Sequence, residues 1–101
     1  MTSPSKRKGN RMELDTVAIL KDYHLEARKV PLSGAAAHFK GDVLVDVHWQ
    51  EKPLQLECKI RANGFAQIYG WLDGNDALVI RADRQRALVV IDIELFAKLI
   101  Q

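Results

Sequence analysis

Two carboxylates and one ammonium group come close together in the middle of the chain. The segment LQLECKI, residues 54–60, alternates apolar and polar residues, which predicts a β-strand with Glu57 and Lys59 on one face. Asp42 opens the preceding apolar segment, DVLVDVHW, and the turn QEKP predicts that the two segments form an antiparallel hairpin. If the strands pair, Asp42 and Glu57 approach on one face with Lys59 beside them. Two acids at such a separation repel unless a cation lies between them.

These residue types suit the metal-dependent hydrolysis of a phosphodiester. Two carboxylates with few other partners offer the hard oxygen ligands that Mg²⁺ or Mn²⁺ prefers. Water bound to such an ion has a lowered pKa and can attack phosphorus. Lys59 can orient that water or stabilise the added charge of the transition state. Glu13, an acid on a mainly apolar stripe of the first predicted helix, can complete the outer shell of the metal.

Each of these residues also has a simpler explanation, which the sequence leaves open. Glu57 and Lys59 can form an exposed ion pair worth only about 0–1 kcal/mol. Asp42 follows Gly41 and can be a turn residue, and Glu13 can pair with a lysine near the N-terminus. The apolar density of the third strand is typical of a central strand, which argues against a merely solvated pair.

The elements that must position these residues follow from the hydrophobic pattern. Asn10 caps a predicted helix running to about Tyr23, and three strands, a helix, two strands and a final helix capped by Asp92 follow. The order αβββαββα predicts an α/β fold with a central mixed β-sheet flanked by helices. The chain of 101 residues is long enough for one domain. We expect a flexible basic N-terminal arm over residues 1–9 and a single domain over residues 10–101.

The basic residues are unevenly distributed. The net charge is +2, but the first eleven positions hold no acid and four basic residues: Lys6, Arg7, Lys8 and Arg11. The remainder carries eleven basic and thirteen acidic side chains. Such an arm is typical of contact with a polyanion, most often nucleic acid, although a solubilising tail has the same composition.

Several classes of protein are excluded by what the sequence lacks. No apolar run approaches the roughly 20 residues of a membrane span, and no apolar stretch follows the basic residues as in a signal peptide. The single cysteine, Cys58, excludes an intramolecular disulfide and suits a reducing cytoplasm.

Taken together, Glu13, Asp42, Glu57 and Lys59 resemble the catalytic residues of the PD-(D/E)xK nuclease superfamily, and within it those of the archaeal and phage Holliday-junction resolvases. The likeness covers about the first sixty residues, from KRKGNRMELDTVAIL through PLSG and GDVLV to LECK. It implies a restriction-endonuclease-like core, with metal ligands at Asp42, Glu57 and Glu13. Ser33 falls in the loop where these resolvases hold a serine near the scissile phosphate.

The resemblance implies a Mg²⁺-dependent, structure-selective endodeoxyribonuclease that resolves four-way DNA junctions in recombination and repair, with Mn²⁺ able to substitute. It would act as a homodimer, because two symmetric cuts need two sites related by a two-fold axis. We expect these basic residues to bind the DNA: Lys6, Arg7, Lys8, Arg11 and Arg61. We also expect a cytoplasmic protein of a bacterial, archaeal or phage-infected cell. The alternatives are a flap, nicking or restriction-like nuclease, a DNA-binding relative that does not cut, and a small interaction domain without a role on nucleic acid.

The second predicted helix carries more large apolar surface than one helical stripe can bury. Part of GFAQIYGWL should therefore stay exposed on the monomer and form the dimer interface. We expect its aromatic residues to pack in the core or the dimer rather than on bases. The final helix is the competing interface, through Leu95, Phe96, Leu99 and Ile100.

Overall fold

The computed structural model of the chain describes residues 4–30 and 41–101. Within these residues, helices and strands follow one another in the predicted order, αβββαββα. They are α1 (Pro4–Asp22), β1 (Ala27–Lys29), β2 (Val43–Val45), β3 (Leu54–Leu56), α2 (Ala66–Leu72), β4 (Leu78–Ile80), β5 (Leu88–Val90) and α3 (Ile93–Ile100). The predicted order and the α/β class are confirmed.

The strands form two antiparallel sheets. β1, β2 and β3 make a three-stranded sheet with β2 in the middle, and β4 pairs with β5 in a separate hairpin. The predicted β2–β3 hairpin is confirmed, but the single central mixed sheet is wrong for the described parts of the chain. Each strand pairs with its neighbour in sequence, which closes short loops at low entropic cost. A mixed sheet would instead require β4 to reach the first sheet across the long connection that contains α2.

Strand β3, which was predicted to carry Glu57 and Lys59, lies at an edge of its sheet. All three residues of β2 are buried, whereas those of β3 are intermediate or exposed. The central strand is therefore β2, and the central position predicted for β3 is wrong. β3 also ends at Leu56, four residues before the predicted end at Ile60. Glu57 and Lys59 thus lie in the segment that follows the strand.

Helix α1 begins at Pro4 rather than at the predicted cap, Asn10. Proline suits the first turn of a helix, where its missing N–H has no intrahelical partner, and the lysines and arginine after it are good helix formers. The boundary predicted between residues 9 and 10 therefore falls inside a continuous helix. The flexibility predicted for residues 1–9 stays a prediction.

The core lies between the three-stranded sheet and the helices α1 and α3. Leu20 of α1 and the two valines Val43 and Val45 are fully buried. Ala27 of β1 and two residues of α3, Ala97 and Ile100, complete this cluster. Burying one such aliphatic side chain contributes about 1.5–3 kcal/mol. Packing against this core holds α1, and with it Glu13, beside the sheet.

The start of α3 is capped as predicted. The side chain of Asp92 accepts hydrogen bonds from the amides of Glu94 and Leu95, at 2.9 and 3.0 Å. Tyr23, just after α1, donates a hydrogen bond of 2.7 Å to the carboxylate of Glu94. Side chains therefore join the end of α1 to the start of α3.

Helix α2 differs from the other two because none of its residues is buried. Tyr69 is 74% exposed and Trp71 is 53% exposed, so the predicted apolar surface on this helix is confirmed. In the described ranges, no helix has both the length and the apolar character needed to cross a membrane.

Candidate functional site

Gly41 and Asp42 lie in close contact with the end of β3. A Cβ atom on Gly41 would be 2.8 Å from the carbonyl oxygen and 2.9 Å from the nitrogen of Leu56. Only glycine allows the two backbones to approach this closely. The amide of Asp42 donates to the Leu56 carbonyl at 2.7 Å, and its carbonyl accepts from the amide of Val30 at 2.9 Å. The backbone of Asp42 is thereby held between the two outer strands, which excludes a simple turn residue.

The hydrogen bonds of Asp42 depart from the regular register of β2 and β3. The register pairs Leu56 with Val43, yet the Leu56 carbonyl accepts from the amide of Asp42. Regular pairing of the two strands ends at this point. The carboxylate of Asp42 then accepts a hydrogen bond of 2.8 Å from the amide of Cys58. A side chain thus takes the place of a backbone acceptor at the point where β3 ends.

Glu57 lies against the carboxyl of Asp42. A hydrogen bond with Asp42 raises the pKa of Glu57 above the ordinary value for a glutamate, and repulsion by the Asp42 charge raises it further. Lys59 lowers the same pKa and Glu13 raises it, so both of their charges lie near Glu57. The predicted approach of Asp42 and Glu57 is therefore present, and the positive charge of Lys59 acts on Glu57.

The alternation predicted for LQLECKI continues beyond the end of β3 as far as Lys59, but Ile60, predicted to face inward, is exposed. Glu57 and Lys59 are exposed, while Cys58 is half-buried and packs against the core cluster. No ion pair within 4 Å joins Glu57 to Lys59 among the salt bridges of the described residues. The simple exposed ion pair that the sequence left open is thus not what holds this segment.

The charge of Glu13 acts on Glu57, but the Glu13 carboxylate itself forms an ion pair with a lysine. Its carboxylate lies 3.5 Å from the ammonium of Lys29 on β1, and its side chain is 18% exposed. Lys29 also donates to the side chain of Asn10 at 3.4 Å. Glu13 therefore pairs with a lysine of the sheet rather than with one near the N-terminus.

Cys58 and Thr16 connect the site to α1, and neither had been predicted as a site residue. The thiol of Cys58 donates to the hydroxyl of Thr16 at 3.9 Å, and Thr16 donates to the carbonyl of Met12 at 2.8 Å. Burial raises the pKa of the Cys58 thiol, the bond to Thr16 lowers it, and the charge of Asp42 raises it. Thr16 follows Glu13 by three residues and so lies on the same side of the helix. The three-residue spacing from Glu13 was the feature of the sequence that could have indicated the position of Thr16.

The oxygen donors of Asp42 and Glu57 fit a hard divalent cation. In residues 4–30 and 41–101, no group of three or more histidine, cysteine or acidic side chains is arranged to hold a metal ion. The role predicted for Glu13 as a third ligand stays a prediction. Mg²⁺ often binds through only one or two carboxylates, with water and phosphate oxygens as its other ligands. Asp42 and Glu57 meet that requirement.

The predicted DNA-binding residues occupy two places. Four of them lie on the exposed surface of α1: Lys6, Arg7, Lys8 and Arg11. Arg11 forms a weak exposed pair of 3.9 Å with Asp15. Arg61 is exposed two residues after Lys59, and the two line the same surface recess. Ser33, the remaining predicted site residue, lies outside the described residues.

Comparison of the chain with protein families, with characterised proteins and with solved structures gives no match.

Proposed function

We propose that this chain is a metal-dependent endodeoxyribonuclease of the PD-(D/E)xK type that cuts four-way DNA junctions. The observation that supports it best is the interaction of the Asp42 and Glu57 carboxyls, which raises the pKa of Glu57, at the place where the Cys58 amide binds Asp42. Two acids in contact destabilise each other at neutral pH. Two of the simpler explanations, a turn at Asp42 and an ion pair between Glu57 and Lys59, do not account for that contact.

Asp42 and Glu57 would hold Mg²⁺, or Mn²⁺ in its place. When bound, the ion supplies an acidified water and offsets negative charge on the scissile phosphate. Lys59 contributes a positive charge beside the reacting phosphate and orients the water that attacks it. Glu13 acts through its charge from α1, and its ion pair with Lys29 of β1 holds it in place. Asp42 is itself held by the Cys58 amide, so the pair is positioned before any substrate binds.

The branched substrate and the two-fold dimer rest on the resemblance to junction resolvases. The order αβββαββα agrees with the helix, three strands and following elements that the resemblance implies. The exposed basic residues of α1 agree with a polyanionic partner.

The test is cleavage of labelled DNA by the purified protein with and without Mg²⁺. The substrates are a four-way junction, a flap and a plain duplex of matched length. We expect Mg²⁺-dependent paired cuts in the junction, and a loss of at least about 100-fold in Asp42→Asn and Glu57→Gln with DNA binding kept. Asp46→Asn is the matched control, because it removes the same charge from a carboxylate that pairs with Arg28 on the same sheet.

The outcome also separates the alternatives. Preference for the flap, or single nicks only, would replace the junction substrate and keep the chemistry. Tight Mg²⁺-independent binding without cutting would identify a non-cleaving relative. Undiminished cutting by either carboxylate variant would exclude this site.

A further inference from the structure

An apolar cleft of about 730 Å³ lies between α1, α2 and the segment that joins β5 to α3. Its walls are mainly aliphatic and aromatic, with Met12 and Ile19 from α1, and Ile68 and Tyr69 from α2. Its charged lining is mixed, with Lys8, Arg11 and Asp15 from α1 and Asp92 from the start of α3. This volume lies within the range of 300–1,000 Å³ that small-molecule sites in proteins occupy.

A second recess of about 320 Å³ connects this cleft to the candidate active site. The two share Met12, Ile60, Phe65 and Tyr69 in their linings. The second recess adds Lys59 and Arg61, and no acidic residue lines it. An aromatic, apolar space thus opens directly beside the lysine of the candidate site, through a positively charged mouth.

The aromatic side chains here are exposed in a way that core packing does not explain. Tyr69 is 74% exposed although it lines both spaces, and Phe65 is only partly buried. Aromatic faces in an open, positively charged groove are the features with which proteins bind unpaired nucleotides, because bases stack on the rings and phosphates meet the cations. A paired base is held in the duplex stack and cannot enter such a space without being unstacked.

We propose that the recess and the cleft bind one unpaired nucleotide of the DNA substrate, adjacent to the phosphate that meets Lys59. Its base stacks on Tyr69 and Phe65, and its phosphate lies against Arg61. This inference rests on the proposed function, which it deepens: the enzyme recognises an unpaired nucleotide at or next to the scissile bond. The lining of the recess by Lys59 and Arg61, with no acidic residue in that lining, favours this occupant over an apolar segment of a second copy of the chain.

The experiment measures binding in EDTA, where no cutting can occur. The probes are a plain duplex and the same duplex carrying one unpaired 2-aminopurine, a fluorescent base that dims when it stacks. We expect the wild type to prefer the second probe and to quench its fluorescence. Tyr69→Ala should lose that preference by about 5- to 100-fold, the range expected for loss of one stacked base.

Trp71→Ala is the matched control. Trp71 is an exposed aromatic residue of the same helix, but it lines a different recess, next to Leu88 and Arg86 of the β4–β5 hairpin. In this variant the affinity for the probe with the unpaired base, divided by the affinity for the plain duplex, should equal the wild-type ratio. This holds even if both affinities change together.

The outcomes separate this inference from the proposed function. In one outcome the wild type cuts junctions while Tyr69→Ala keeps the full preference for the unpaired base and the full quenching. That result would overturn the nucleotide site alone and leave the nuclease. A selective loss in Tyr69→Ala by a protein that cuts no DNA would support the nucleotide site and overturn the nuclease. If Tyr69→Ala changes the molecular mass in solution but not the preference, the cleft is an interface between copies and the inference is wrong.

Discussion

The carboxylate of Asp42 accepts a hydrogen bond from the backbone amide of Cys58, with 2.8 Å between Oδ2 and the nitrogen. This contact joins the start of β2 to the segment after β3, and Glu57 and Lys59 flank the bonded amide in sequence. At the same place Gly41, which precedes Asp42, lies against the backbone of Leu56, which precedes Glu57.

Gly41→Ala should therefore disturb both stability and the site. The new Cβ would meet backbone atoms of Leu56 below 3.0 Å, and backbone atoms cannot rotate away as a side chain can. We expect a loss of about 1–3 kcal/mol in the free energy of unfolding, as in other overpacked sites. Urea denaturation measures the loss. In the junction assay, the molecules that remain folded should cut more slowly than the wild type.

Gly70→Ala is the control for this prediction. Gly70 lies inside α2, and a Cβ atom there would meet nothing within 4 Å. Alanine in a helix is favoured over glycine by about 0.5–1 kcal/mol, so this variant should be slightly more stable than the wild type. Equal effects of the two substitutions would show that the contact of Gly41 with Leu56 does not matter.

Mg²⁺ should stabilise the folded protein through Asp42 and Glu57. An ion that binds only the native state with a dissociation constant of ~1 mM contributes about 1.4 kcal/mol at ten times that concentration. For a domain of this size the gain corresponds to a rise in Tm of roughly 6–11 °C. Differential scanning fluorimetry with and without MgCl₂, or MnCl₂, measures it at fixed ionic strength.

The shift in Tm should be absent in Asp42→Asn. The asparagine oxygen still accepts from the Cys58 amide, so the fold is kept while the charge is lost. Asp46→Asn should keep the full shift, because its carboxylate pairs with Arg28 at 3.2 Å away from the acid pair. A shift of equal size in all three proteins would mean that the ion acts on the general surface.

Replacing Lys6, Arg7 and Lys8 with alanine should weaken DNA binding and reduce its dependence on salt. Because α1 begins at Pro4, alanines preserve the helix, whereas a deletion would remove its first turns. Each lost phosphate contact changes the slope of log affinity against log salt by about 0.9, so three contacts change it by up to about 2.7 per subunit. Fluorescence anisotropy over a series of salt concentrations measures the slope.

The control removes three positive charges elsewhere, by alanine at Lys21, Lys52 and Lys98. Lys21 lies thirteen residues beyond Lys8 on α1, about 20 Å along the helix axis. The slope should then remain close to that of the wild type. Equal changes in the two triple variants would attribute the effect to net charge and not to contact by the N-terminal part of α1.

The protein should be a dimer through α2 and the β4–β5 hairpin. Trp71 and Leu88 are both exposed and line the same recess, which gives an apolar surface of the kind that marks an interface. Light scattering at micromolar concentration should give twice the mass of one chain for the wild type. Trp71→Glu should give the mass of the monomer, with a native circular dichroism spectrum.

The competing surface on α3 is tested by Leu99→Glu. Leu99 is 67% exposed, whereas Phe96 packs against the core and its replacement by glutamate would unfold the protein. Leu99→Glu should remain a dimer. A wild-type monomer that still makes paired cuts would exclude a dimer as the active form.

Several features of this protein followed from the sequence alone because their causes are local. Hydrophobic alternation and turn residues determined the order αβββαββα, and the side chain of Asp92 determined the start of α3. Alternation also placed Cys58 inward, with Glu57 and Lys59 outward. A period of two residues survives beyond the end of the hydrogen-bonded strand.

Other features depend on contacts between segments distant in sequence, which no local pattern contains. β3 ends where the Leu56 carbonyl accepts from the Asp42 amide and the Asp42 carboxylate accepts from the Cys58 amide, beside the close approach of Gly41 to Leu56. The pairing of β4 with β5, in contrast, joins neighbours in sequence, and the hydrophobic pattern of the strands did not show that this hairpin stays apart from the first sheet. Residue types and spacing therefore determined the acids that could act together, while the tertiary structure decided how their backbones are held, because that depends on contact across the sheet.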